Sequence, residues 1–194
     1  MNLGPVNLPD LLFDCSALTD AEAEAQGEKL FHTEFITRNG RSGVLTTHDG
    51  IEVKFFADRY HHAFHTSQNR ARQTYAKDRG ARDRIERIRW IKPIIEGRAA
   101  DVECWEVPLK VPEEGIRCFP GKRAYVSWEH GYIIWLEPLR AGGFKFSSAY
   151  VLPAVEISRY TRSGLYISCA YPGSDSAKAV FLSSRPAGRR ETEP

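Results

Sequence analysis

The spacing of apolar side chains changes character along the chain. Thr19-x-x-Glu22 forms a capping box ahead of an Ala/Glu-rich stretch, which predicts a helix running to about Phe31. Residues 1–18, with Pro5 and Pro9, read as an irregular lead-in. Short runs at 34–37, 43–47 and 51–56 predict three strands. Asn39-Gly40, a strong hairpin dipeptide, joins the first two, and His48-Asp49-Gly50 turns between the last two. Asp58 is placed to cap a helix that carries Tyr60, Ala63 and Phe64 on one side. Residues 69–91 predict a longer helix broken near Gly80. Within it Ile85, Ile88 and Ile91 recur every three residues as a buried stripe, and Pro93 disrupts helix beyond that point.

The second half alternates instead. Residues 102–107 predict a strand, and 108–120 a Pro/Gly-rich connection. Residues 123–128 and 132–137 are rich in aromatic and β-branched side chains, and Glu129-His130-Gly131 joins them as a tight hairpin. Ala141-Gly142-Gly143 turns into a strand over 144–152, and 156–160 with 165–170 predict one more hairpin across Arg162-Ser163-Gly164. Helices first and a sheet after is an α+β pattern. The expectation is a single domain over residues 1–173, N-terminal helices packed on an antiparallel β-sheet, with a loose tail over 174–194.

Composition narrows this little. Among 194 residues, 42% are apolar and 27% charged, which excludes wholesale disorder. The longest uncharged apolar runs, such as 131–136, are too short to span a bilayer, so no membrane partner is expected. The N-terminal MNLGPVNLPD lacks a basic start and a long apolar core, so it does not read as a secretory signal. The expected location is the cytoplasm, with Cys15, Cys104, Cys118 and Cys169 as reduced thiols. Their spacing forms no C-x-x-C pair, which argues against a zinc ribbon or knuckle.

Charge says more, because the net +2 hides an asymmetry. Residues 1–34 carry seven acids against one Lys; residues 59–98 carry eleven bases against four acids. Arg dominates the basic block, and its planar fork matches phosphate and stacks on bases. One reading is a polyanion-binding face with Arg82, Arg84, Arg89, Lys92 and Lys145 as the phosphate contacts. The plainer reading is a solvated helix face whose partner is the acidic N-terminal segment. The two are compatible, since an acidic arm can cover a basic groove until substrate displaces it.

The densest chemistry is Tyr60-His61-His62-Ala63-Phe64-His65. On a helix, His61 and His65 share a face, and His62 and His65 are also neighbours. Histidine is the natural general acid or base near neutral pH. A metal reading needs a third ligand, and no carboxylate or Cys stands at a motif spacing. Along 144–150, strict alternation places Phe144, Phe146, Ser148 and Tyr150 on one face, passing from core to polar groups. Trp90, Trp128, Tyr132 and Trp135 offer base-stacking surfaces, although such residues in strands are mostly core. There is no G-x-S-x-G elbow, no phosphate-cradling loop and no dinucleotide fingerprint, which argues against a serine hydrolase and nucleotide-driven chemistry.

The order DRYHHAF, RIERIRWIKPII, AYVSWEHGYIIWLEP, FKFSSAYV resembles phage-associated members of the barnase–EndoU–colicin–RelE nuclease superfamily over roughly residues 50–152. The resemblance implies helices packed on a four-stranded antiparallel sheet and metal-independent RNA cleavage, with no cofactor. It places His62, or His61, as the helix histidine, Ser148 where the family has Thr, and Tyr150 as the strand tyrosine. Ser148 departs from the pattern by lacking the methyl that restricts the hydroxyl's rotamer. RNA carries its own nucleophile, the 2′-hydroxyl, so a base, an acid and cations on the phosphate suffice. The expected partner is RNA, with a protein inhibitor as a further candidate. The competing readings are a non-catalytic RNA- or DNA-binding protein and a phage accessory protein whose nuclease-like fold has lost activity.

Overall fold

A computed structural model describes residues 5–36, 43–67, 77–110, 117–162 and 164–169. It has the α+β class expected of the sequence. A short 3-10 turn, Leu8–Leu11, precedes helix α1 (Asp20–Phe35). The lead-in is tied down: Val6 bridges to Ala99, and Leu8 and Cys15 are buried. The Thr19–Glu22 capping box is present in both directions. The helix runs one turn past its expected end, so residues 34 and 35 of the strand expected at 34–37 are helical, and residue 37 lies outside the described residues. Phe31 and Phe35 stand four apart and continue the buried stripe, and no breaker precedes Asn39-Gly40; the turn expected at that dipeptide lies outside the described residues.

Strands β1 (Gly43–Thr46) and β2 (Glu52–Phe55) form the expected antiparallel pair. Helix α2 (Arg59–Phe64) buries Tyr60, Ala63 and Phe64 as expected, although Asp58 makes no side-chain cap. The long helix expected over 69–91 is absent from its described part. Strand β3 (His65–Ser67) pairs with β4 (Lys77–Gly80), and only then come α3 (Arg82–Ile85), a 3-10 turn (Ile88–Trp90) and α4 (Ile91–Ile95). The isoleucine stripe survives this change: Ile85, Ile88 and Ile91 are all buried. Pro93 sits inside α4, in the first turn, where its missing N–H removes no helical bond.

The remaining elements are β5 (Val102–Lys110), β6 (Arg117–Ser127), β7 (Tyr132–Pro138), β8 (Phe144–Val151), helix α5 (Ala154–Thr161) and β9 (Leu165–Cys169). Both ends of the connection expected over 108–120 are strand. Residues 156–160, expected as strand, lie in α5, where Ile157 and Thr161 are buried one turn apart. One seven-stranded sheet runs β1-β2-β8-β7-β6-β5-β9. It is mixed rather than antiparallel, because β2 and β8 pair in parallel through Val53↔Phe144 and Lys54↔Lys145.

One sheet face carries the main core against the helices. Phe31 of α1 contacts Phe35, Phe55, Tyr60, Phe64 and Phe146, and the rings of Phe35, Phe55 and Phe146 stack in series. The other face carries a smaller cluster of Trp105, Val126, Ile133 and Trp135, capped by Ile157 of α5. Gly27 brings α1 close to its neighbours: a Cβ there would stand 2.6 Å from Ile85 Cγ2 and 2.8 Å from Tyr60 Oη. The Tyr60 hydroxyl donates to the Glu24 carbonyl oxygen at 2.8 Å and fixes α2 against that turn of α1.

Candidate active site

Parallel pairing between β2 and β8 covers only the start of β8. Helices α2 and α3 also pack against β8. The candidate residues gather here, in an arrangement that differs from the expected one.

His61 and His65 come together. His61 Nδ1 lies 3.1 Å from His65 Nε2, and the same His65 nitrogen lies 3.0 Å from Glu24 Oε1 on α1. On the other side of the His61 ring, Nε2 faces Glu28 Oε1 at 3.7 Å. The His65 side chain is 8% exposed and that of His61 57%. The cluster therefore runs from a half-buried carboxylate, through a buried imidazole, to an exposed one. Glu24 and Glu28 share one face of α1 by their four-residue spacing, as His61 and His65 do across the end of α2. The two histidines stand out in the sequence and the two carboxylates do not, since nothing in a linear spacing pairs residue 24 with residue 65. The acidic excess of residues 1–34 was the available signal. His62 is exposed at the adjoining helical position.

The strand face is a correction. Trp135 pairs with Ser148 and Leu136 with Phe146, so Ser147 is an extra, bulged residue. The bulge inverts the alternation. Phe144, Phe146 and Ala149 enter the main core, while Tyr150 joins the opposite cluster and accepts the Trp135 indole N–H at 2.9 Å. Ser148 lies on the Tyr150 side, so the four residues expected on one face are divided between two. Ser147, not Ser148, is buried, and it donates to Glu137 Oε1 at 3.1 Å.

Among the described residues, most of the basic block is committed to the fold. Arg82 donates to the carbonyl oxygens of Cys15 and Leu18 and pairs with Asp20. Arg84 donates Nη1 to the carbonyl oxygens of Ala63 and His65, and its guanidinium carbon sits 4.9 Å from the Tyr150 ring centre. Arg84 thus joins the histidine segment to the strand tyrosine. Lys145 pairs with Glu137 at 3.2 Å, as does Lys122 at 2.8 Å. Burial pushes the Glu137 carboxyl up, but hydrogen bonds and charge from the two lysines outweigh it and hold the group at about 2. Arg89 is exposed and Lys92 half-buried, and neither makes an ion pair among the described residues. The acidic segment does meet the basic block, through Asp20 with Arg82 and through Glu24 and Glu28 with the histidines. Trp90, Tyr132 and Trp135 are core, and Trp128 is half-buried and donates to Glu103, which removes the base-stacking role for the first three.

A second polar cluster has no counterpart in the sequence expectations. His48, which reads as part of a turn, places Nε2 2.7 Å from Ser168 Oγ and Nδ1 3.0 Å from Tyr125 Oη. Beside it Arg123 Nη1 donates to both oxygens of Asp49 at 2.8 and 2.9 Å. The buried thiol of Cys104 is pushed up to about 12, mainly by desolvation. The group ties the β1–β2 turn to β6 and β9. Cys15 and Cys104 are unpaired and buried. Among the described residues, no helix is long and apolar enough to cross a membrane. No protein-family model, curated protein or solved structure matches the chain.

Proposed function

We propose that the chain is a ribonuclease that cleaves RNA by attack of the 2′-hydroxyl on the adjacent phosphorus, with the histidines of α2 as acid and base. The observation that carries this reading is the contact chain Glu24–His65–His61, which ends in an exposed imidazole. A buried, carboxylate-backed imidazole fixes the orientation of the outer ring, which is what a proton-transfer group needs.

In the proposed reaction the 2′-oxygen forms a bond to phosphorus and passes its proton to His62, the neighbouring exposed imidazole. The bond from phosphorus to the 5′-oxygen breaks, and that oxygen takes a proton from His61. The carboxylates of Glu24 and Glu28 offer ion-pair partners while the histidine pair carries the extra proton. The product is a 2′,3′-cyclic phosphate and a free 5′-hydroxyl. Arg84 and Tyr150 keep the α2–β3 segment registered against β8, and exposed Arg89 is a cation open to a phosphate. The resemblance of the DRYHHAF to FKFSSAYV order to phage-associated nucleases supports the same reading.

The test is incubation of the full chain with total RNA in EDTA. His61→Ala should slow cleavage by on the order of 10²-fold or more while RNA affinity stays nearly constant. Cleavage that persists in the His61→Ala/His62→Ala double variant, or that stops in EDTA, overturns the mechanism. Absence of cleavage on single-stranded, structured and transfer RNA favours an RNA-binding module.

A further inference from the structure

We infer that Glu24, His61 and His65 form a binding site for a divalent transition-metal ion of the zinc class. Along the sequence no third ligand stands at motif spacing from the histidines. The fold supplies that ligand from a different helix.

Hydrogen-bond arithmetic favours a cation at this point. His65 Nε2 faces a carboxylate oxygen at 3.0 Å and a second imidazole nitrogen at 3.1 Å. If that nitrogen carries a hydrogen, one hydrogen serves two acceptors. If it does not, its lone pair faces a carboxylate. One proton arrangement cannot satisfy all three atoms well. A cation at their centre can, because all three present lone pairs. The three ligand atoms lie within 4.8 Å of one another. Tetrahedral zinc, with bonds of about 2.0–2.2 Å, sets its ligand atoms roughly 3.3–3.5 Å apart. The two contacts to His65 Nε2, at 3.0 and 3.1 Å, open by a few tenths of an ångström to reach this, and the third separation, within 4.8 Å, is brought to the same value by side-chain rotation.

Two independent features fit the same reading. Imidazoles that bind metal commonly give their other N–H to a carboxylate, and Glu28 stands 3.7 Å from the remaining nitrogen of His61. The site is also anchored on its inner side and open on its outer side. His65 is buried, the Tyr60 hydroxyl holds the Glu24 turn, and the exposed edge of His61 leaves a position for water. Two imidazoles and one carboxylate are borderline ligands, suited to Zn²⁺ and Co²⁺ rather than to Ca²⁺ or Mg²⁺.

The metal site goes beyond the proposed ribonuclease and does not depend on it. A metal ion would occupy the His61 and His65 lone pairs, so an ion there and proton transfer by the same pair exclude each other. Zn²⁺ would then act as a reversible inhibitor of cleavage.

The test uses the full chain, stripped with EDTA and dialysed, titrated without RNA. Zn²⁺ is followed by calorimetry and Co²⁺ by its visible d–d absorption. The expected result is one ion per chain, with Co²⁺ absorption of tetrahedral or five-coordinate intensity that Zn²⁺ abolishes. His61→Ala and His65→Ala should each weaken Zn²⁺ binding by on the order of 10²-fold. Glu24→Gln, nearly isosteric and so safe for the fold, should weaken it at least 10-fold, and Glu28→Gln by roughly 10-fold. Absence of stoichiometric binding overturns the inference. So does a loss in His62→Ala equal to that in His65→Ala, which would mark a merely histidine-rich surface. Zn²⁺ binding without any cleavage of RNA leaves the site standing and removes the ribonuclease; cleavage in EDTA by a chain that binds no Zn²⁺ removes the site and leaves the ribonuclease.

Discussion

Trp135 donates its indole N–H to the Tyr150 hydroxyl over 2.9 Å, from β7 to β8, on the sheet face away from the main core. The tyrosine is therefore held by its oxygen through Trp135 and by its ring through Arg84. Tyr150→Phe leaves the indole N–H of buried Trp135 without this acceptor, at a cost of about 1–2 kcal/mol. Urea unfolding of Tyr150→Phe, Trp135→Phe and the double variant should show the pair as coupled, with the double variant losing less than the sum. In the RNA assay Tyr150→Phe should slow cleavage far less than His61→Ala. An equal loss would move Tyr150 from positioning into the chemistry.

Ser147 explains why alternation misplaces that face. Alternation carries information about facing only while the register holds, and one inserted residue inverts every later position. Ser148 and Tyr150 lie beyond the inversion. The three strands β6, β7 and β8 were legible because each is long, apolar and closed by a Gly-containing turn; Gly131 indeed adopts a positive φ of 57°. The isoleucine stripe was legible even though its secondary structure was not, because burial of Ile85, Ile88 and Ile91 is demanded by hydrophobicity under either backbone. What sequence could not supply was the meeting of Glu24 with His65, which exists only once α1 and α2 pack.

Gly27 controls that meeting. In an isolated helix Gly27→Ala would stabilise by about 1 kcal/mol. Here the added methyl stands 2.6 Å from Ile85 and 2.8 Å from the Tyr60 hydroxyl, and such overpacking costs typically about 1–3 kcal/mol. The expected net effect is destabilisation. Because Tyr60 holds the Glu24 carbonyl, Zn²⁺ affinity should fall with it, although no ligand has been touched. Higher thermal stability in Gly27→Ala would show that the helices separate without strain.

The arginines divide into two classes. Arg82 and Arg84 satisfy backbone carbonyl oxygens of other elements, so Arg82→Ala and Arg84→Ala should each destabilise by roughly 1–3 kcal/mol in urea. Arg89→Ala, at an exposed position, should stay within about 0.5 kcal/mol of wild type. If RNA binds, Arg89→Ala and Lys92→Ala should flatten the salt dependence of affinity, since removing one cation from a phosphate lowers the slope by about one. Unchanged stability in Arg84→Ala would mean that its carbonyl bonds are replaced by water.

Acid should lower stability over two separate pH ranges. Burial, with a smaller contribution from the Arg123 charge, holds His48 below its ordinary 6.5 against the opposing pull of Asp49. The unfolded chain then binds the proton more readily than the fold does. Stability from this group is full above pH 6.5 and falls as pH drops toward the lowered value. Glu137 behaves likewise at lower pH: its lysine-paired carboxylate stays ionised to about 2, while the unfolded group titrates near 4.5, so stability falls from 4.5 downward. The two limbs separate by substitution. His48→Gln, which cannot titrate, should flatten the dependence of melting temperature on pH just below 6.5 and leave the lower limb intact. Glu137→Gln should do the reverse, and it should also lower stability at neutral pH by removing the charge shared by Lys122 and Lys145. A His48→Gln profile that parallels wild type from neutral pH downward would mean that the imidazole takes up its proton in the folded state, and that its bonds to Tyr125 and Ser168 do not depend on its charge.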